Sequence, residues 1–280
     1  MRLFVNRSLL IATKHGKEDI MQPLLERYLG VVVSQKNKFD TDTLGTFSGE
    51  IPRTLVPLEA LREKCNQAYL LHGIDLVVAT EGSFGPHPHY FFVPSHEEFV
   101  MLKDFKNDWE VTGKVLKMET NFKQESITQE DELLAFCDCV HFPSHAIILR
   151  PFQNKSEGII KGIKDRKKAL NAFNFLMKEY GQVVVETDMR AHMNPTRMRI
   201  IGEVTQQLID KCHSYCPSCG WPGYDVVAHE SGLPCQLCKT PTASTMKWIY
   251  VCQKCQHQSE KYYPKGKYFE DPMYCSTCNP

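Results

Sequence analysis

Eight of the twelve cysteines in this 280-residue chain fall into four Cys-x-x-Cys pairs: Cys216/Cys219, Cys235/Cys238, Cys252/Cys255 and Cys275/Cys278. Each pair can sit on a tight turn that aims two sulfurs at one ion. Four pairs supply two tetrahedral all-cysteine zinc sites. Fifteen residues separate the first pair from the second and nineteen separate the third from the fourth, both within zinc-ribbon spacing. With all four ligands cysteine, neither site leaves a position open for water, so both zinc ions are structural. Three pairings are open: sequential, nested, and a cross-brace of alternate pairs. The sequential one is favoured, because each half reads as one ribbon. The 13-residue gap between Cys238 and Cys252 keeps the nested one available. A disulfide scaffold is the competing reading, and it needs an oxidising compartment. No secretory signal opens the sequence, and no apolar run approaches the roughly 20 residues of a membrane span, so the expectation is a soluble, cytoplasmic protein.

Three further polar segments, each following an apolar run, have the composition of a ligand site. The first holds Thr13, Lys14, His15, Gly16 and Lys17 before a helix start, where backbone N–H groups and two ammonium groups can hold phosphate. It lacks the Walker pattern, and a solvated lysine-rich turn is the plain alternative. The second holds Glu81, Gly82, Ser83, Gly85, His87 and His89, read as a loop that lets the backbone approach a ligand closely. The third runs from Val183 to Arg197. Period two puts Glu186 and Asp188 on one face of a strand end, where two carboxylates can hold Mg2+ or Mn2+. Arg190 and Arg197 can clamp phosphate, and His192 or His15 can move protons. An ion-pair network is the bland reading of the same charges.

The elements that must position these residues alternate between strand-like and helical runs. Expected strands are 9–13, 31–34, 74–80 and 145–150, with a strand over 182–187 and a hairpin of 99–103 with 109–118. Expected helices are 18–29, 57–72, 129–139, 165–180 and 194–212, and a glycine-punctuated loop spans 39–53. This predicts an α/β fold, a mixed sheet with helices on both faces, over residues 1–211. A small double zinc-ribbon domain follows over residues 212–280. Formal net charge is zero, which gives no bulk attraction to nucleic acid. In the ribbon, Trp248, Tyr250, Tyr262 and Tyr263 stand among Lys261, Lys265 and Lys267, so single-stranded nucleic acid or a protein remains a possible partner there.

Residues 12–18, 45–50, 79–88 and 187–197, with the four cysteine pairs, resemble a bacterial family of uncharacterised zinc-containing proteins over nearly the whole chain. More distantly, the order of residues 11–82 is similar to inosine/xanthosine triphosphate pyrophosphatases. That likeness would make Thr13 and Lys17 part of a phosphate loop and Glu81-Gly82 the acidic turn after a central strand. Lys14 and Ser83 depart from the pattern, and the cysteine region and the 187–197 segment have no counterpart in it. Together these readings lead to a first hypothesis: a Mg2+-assisted hydrolase of a phosphate ester or anhydride, with a nucleotide or similar phosphorylated small molecule as substrate. Lys14, Lys17, Arg190 and Arg197 would neutralise phosphate, while Glu81, Glu186 and Asp188 would hold metal or orient water. The alternative is a nucleic-acid- or protein-binding module without catalysis.

Overall fold

The computed structural model describes residues 3–13, 16–34, 55–151 and 157–280. Lys14, His15 and the loop over 39–53 lie outside the described residues. The chain divides into two compact units, Arg2–Ile209 and Asp210–Pro280.

The first unit is α/β, as expected, but its strands form two sheets rather than one. Strands β1 (Ser8–Ala12), β2 (Val32–Val33), β3 (Leu76–Pro86), β4 (Pro94–Asp104) and β5 (Trp109–Lys117) form a mixed sheet in the order β2-β1-β3-β4-β5. Helix α1 (Glu18–Leu29) joins β1 to its parallel neighbour β2, and α2 (Pro57–His72) precedes β3, which is parallel to β1 on its other side. Strand order therefore reverses at β1, and such a point opens a crevice beyond the carboxyl ends of the strands. Leu10, Ala12, Val77, Ala79, Phe99 and Met101 form one buried face with Leu61, Cys65 and Ala68 of α2. The opposite face meets α5 (Pro195–Cys212): a Cβ on Gly113 of β5 would lie 2.7 Å from the Val204 carbonyl oxygen. In turn, Gly202 of α5 lies against Ile20 of α1.

The second sheet holds β6 (Gln124–Ile127), β7 (Ile147–Arg150), β8 (Ile160–Ile163) and β9 (Val183–Thr187), in the order β6-β9-β7-β8 and antiparallel throughout. Helices α3 (Glu130–Cys139) and α4 (Arg166–Tyr180) cover it. Leu133, Phe136, Phe173 and Leu176 pack on Ile127, Ile147, Leu149, Val183 and Val185.

Local chemistry fixes the helix ends. Gln129 and Glu132 make a capping box on α3, and the Asp165 carboxylate accepts the Lys168 N–H at 2.8 Å on α4. Gly30 ends α1 in the left-handed region, and its N–H bonds to the Glu26 carbonyl. Among the described residues no helix is long and apolar enough to cross a membrane.

The second unit is a three-stranded antiparallel meander of β10 (Asp225–Ser231), β11 (Thr245–Val251) and β12 (Gln258–Tyr262). Each of its four cysteine turns closes with a hydrogen bond to the carbonyl of the first cysteine. The donors are the N–H groups of Gly220, Lys239, Gln256 and Asn279.

Candidate functional site

The four cysteine pairs do meet two by two, but as a cross-brace. Cys216 and Cys219 join Cys252 and Cys255, while Cys235 and Cys238 join Cys275 and Cys278. The favoured sequential pairing is corrected by β10, a strand absent from the sequence reading. It runs between the first and second pairs and carries them to opposite ends of the meander, about 23 Å apart at strand rise. Antiparallel register then returns the chain. Asp225 pairs with Val251, bringing the third pair beside the first, while Ser231 pairs with Thr245 at the far end. Strand β12 runs back to that far end, Lys247 facing Tyr262, and there the fourth pair meets the second.

Within the tetrads the Sγ–Sγ distances are 3.7 Å for Cys216–Cys255 and Cys219–Cys252, 3.8 Å for Cys235–Cys278 and 3.6 Å for Cys238–Cys275. Four thiolates about 2.3 Å from one central ion give tetrahedron edges of about 3.8 Å. Both tetrads can thus hold a metal ion. The first cysteine of each pair is buried, whereas Cys219, Cys238 and Cys255 are exposed.

In the α/β unit, the three segments singled out from sequence converge on a buried polar cluster beyond the carboxyl end of β1 and beside the middle of β3. Lys17 is the N-cap residue of α1. It is buried, and its ammonium donates to the Thr80 hydroxyl of β3. Lys64 of α2 donates to the Thr80 carbonyl at 3.1 Å and to the Glu81 carboxylate. Arg197 of α5 is fully buried. Its Nε and Nη2 reach the Glu98 carboxylate at 3.1 and 3.2 Å, and its Nη1 reaches the Met189 carbonyl at 2.6 Å. His96 stands 2.7 Å from the same Glu98 and stacks on Phe84, which also lies against the Arg197 guanidinium. A Cβ on Gly16 would lie 3.6 Å from His192, so the first and third segments touch. Thr13, only 4% exposed, has a hydroxyl with no hydrogen-bond partner.

Electrostatics follow from this burial. Burial, then the Arg197 and Lys64 charges, push the Lys17 amine down to about 7, against the opposing pull of Glu98 and Glu81. Burial raises the Glu98 carboxyl, but Arg197, His96 and Lys17 outweigh it and hold the group well below the usual carboxylate range. Burial, then Arg190, lower the His192 imidazole, which favours its neutral form.

Other expected positions are arranged differently. Glu81, Gly82, Ser83 and Gly85 lie on β3, paired with Phe99, Glu98, Glu97 and Ser95, and not in a loop. Only 87–93 forms the turn, where His87 accepts N–H bonds from His89 and Tyr90. Glu186 ion-pairs with Arg150; burial raises its carboxyl above the usual range. Asp188 is fully buried and accepts from Gly162 N–H at 3.1 Å and from Arg190 Nε and Nη2 at 2.9 and 2.6 Å. The two carboxylates are thus committed to arginines, the ion-pair alternative for these charges. Asn194 caps α5 by accepting the Arg197 N–H at 3.0 Å.

Sequence reasoning missed Lys64, His96 and Glu98. Each left a trace. Lys64 sits on the apolar stripe of Ala60, Leu61, Cys65 and Ala68, and period two puts His96 and Glu98 on one face of a strand.

A family model described as Domain of unknown function (DUF6671) matches residues 64–280, which takes in every member of the cluster except Thr13 and Lys17. A comparison with curated proteins finds no match.

Proposed function

The chain belongs to the DUF6671 family, and from its own chemistry we propose that the α/β unit is a hydrolase of phosphate esters or anhydrides, acting on a nucleotide or a similar phosphorylated small molecule. One observation carries this reading. Three buried basic side chains, Lys17, Lys64 and Arg197, gather where strand order reverses and α1 begins, and the Thr13 hydroxyl just past β1 is buried and unpartnered. Phosphate there would meet the α1 N-terminus and the Lys17 ammonium. His192, favoured as the neutral imidazole, would take the proton of the attacking water, and Glu81, fixed in place by its ion pair with Lys64, would orient that water. The likeness of Thr13, Lys17 and Glu81-Gly82 to triphosphate pyrophosphatases agrees with this assignment. Because Glu186 and Asp188 are committed to arginines, we assign charge neutralisation to the cationic side chains.

We further propose that both cysteine tetrads hold structural zinc, the ion that all-thiolate tetrahedral sites suit. Zinc-loaded, Asp210–Pro280 is not a basic surface. It has seven lysines and six carboxylates, and eight thiolates around two dications leave a formal charge of about −3. A protein-binding role for this unit has its own support in exposed Tyr268, Phe269, Met273 and Tyr274. Electrostatics speak against nucleic acid.

The test is a phosphate- and pyrophosphate-release screen over nucleotides and simple phosphate esters, with and without Mg2+ or Mn2+. Wild type runs beside Lys17→Met and Glu81→Gln, both checked for fold and zinc content. Release that falls at least a hundredfold in folded variants supports the reading. Silence of the wild type across the panel, or unchanged release in Lys17→Met, overturns it.

A further inference from the structure

Among the described residues the cluster brings three buried basic side chains, Lys17, Lys64 and Arg197, to two buried carboxylates, Glu81 and Glu98. Glu98 lies between Arg197 and His96, and Glu81 lies on Lys64. The Lys17 ammonium meets the neutral Thr80 hydroxyl instead. The charged groups facing Lys17 are Arg197 from α5, Glu98 from β4, Lys64 from α2 and Glu81 from β3. Glu18 and Asp19 share its own helix, and His192 borders Gly16. Thr13 follows Ala12, which pairs with Ala79 beside Thr80, and its buried hydroxyl is unpartnered, as is one buried Glu18 carboxylate oxygen.

We propose that this site takes a phosphate-like anion beside Thr13 and Lys17, and that Lys17 gains a proton from solvent as the anion binds, so that ligand uptake and lysine protonation are one linked event. This rests on reading the cluster as a phosphate site and adds a regulatory property to it. Without an anion, burial and two neighbouring cations hold the amine near its midpoint at neutral pH. A bound anion gives the Lys17 amine a charged partner in addition to the neutral Thr80 hydroxyl, raises the amine and draws in the proton. The site would then work best on the acid side of neutrality and release its ligand as pH rises.

The experiment is calorimetric titration of the zinc-loaded full chain with sulfate, whose charge is constant between pH 6 and pH 9, in buffers of different ionisation enthalpy. Affinity should be level below about pH 7 and fall about tenfold per pH unit above it, with close to one proton taken up at pH 8.5. The uptake should vanish in Lys17→Met and persist in His192→Ala. Binding without pH dependence, or uptake surviving in a folded Lys17→Met, would overturn the linkage while leaving the anion site standing. If neither sulfate nor inorganic phosphate binds at any pH, the phosphate reading fails and takes the linkage with it. If Lys17→Met does not fold, the His192→Ala and wild-type pH series still decide between the two groups.

Discussion

Replacing Gly82 by alanine is the sharpest probe of the buried cluster. The new Cβ would lie 2.5 Å from Glu98 Oε2 and 2.6 Å from Arg197 Nη2. Flexible side-chain ends usually give way cheaply, but these two are fully buried and held from behind. Arg197 is fixed by the Met189 carbonyl and lies against the Phe84 ring, and Glu98 is held by His96 at 2.7 Å. Relief therefore requires the carboxylate and guanidinium to part. Breaking a buried ion pair costs about 3–5 kcal/mol; the bonds that survive on the far sides reduce this to about 2–4 kcal/mol. For a unit of this size that corresponds to a fall in Tm of roughly 5–12 °C. Far-UV circular dichroism is the readout, since the α-helices belong to the α/β unit and the cysteine unit is built of strands. Gly85→Ala is the control, because nothing lies within 4 Å of its Cβ position. A Gly82→Ala midpoint within 1 °C of wild type would refute the claim that the Arg197–Glu98 pair is rigidly held.

Zinc stoichiometry distinguishes the pairings. The Cys219→Ser/Cys255→Ser double variant should keep one of two ions, while Cys219→Ser/Cys238→Ser should keep none; sequential pairing predicts the reverse. Removing metal with a strong chelator should unfold the β10–β12 meander and leave most of the helical signal, as read by circular dichroism. Lys17 also sets a pH trend. Its folded pKa lies below the unfolded one, so the unfolded chain binds more protons between about pH 7 and pH 10, and stability of the α/β unit should rise with pH there. The slope is at most about 1.4 kcal/mol per pH unit, and it should be absent in Lys17→Met denaturation series. Asp188→Ala should destabilise the unit by about 2–3 kcal/mol in urea denaturation, because the Gly162 N–H and Arg190 lose their acceptor.

Helices were readable where local chemistry decides their ends. Gln129 with Glu132, Asp165, Asn194-Pro195 and the glycines at 30, 73 and 181 are all caps visible in sequence. Strand extents were less readable, because pairing partners are set by residues far away in the chain. Strand β3 was expected to stop at Thr80, where glycines and prolines begin. It continues to Pro86 because β4 lies alongside residue for residue. Strands β6 and β8 are four residues each and partly exposed, too short for periodicity to speak. Sequence singled out the eight paired cysteines but not which pairs meet, since pairing depends on a meander whose first strand, Asp225–Ser231, is mostly exposed and so carries little apolar pattern. Likewise Lys17, Glu81 and Arg197 were singled out one by one, but of what joins them, Lys64 lies on a helix that reads as ordinary core and Glu98 just before the expected strand 99–103.

The crossed arrangement of cysteine pairs would also tie together the binding of one metal ion in each tetrad. A metal at Cys216/Cys219/Cys252/Cys255 closes a loop that contains Cys235 and Cys238, and a metal at the second tetrad closes a loop that contains Cys252 and Cys255. Whichever ion binds first shortens the free chain that the other must close, so the second site forms at a lower entropic cost. Loading should then be cooperative: half-filled molecules would be scarce, and in a zinc titration the unit would pass almost directly from empty to full.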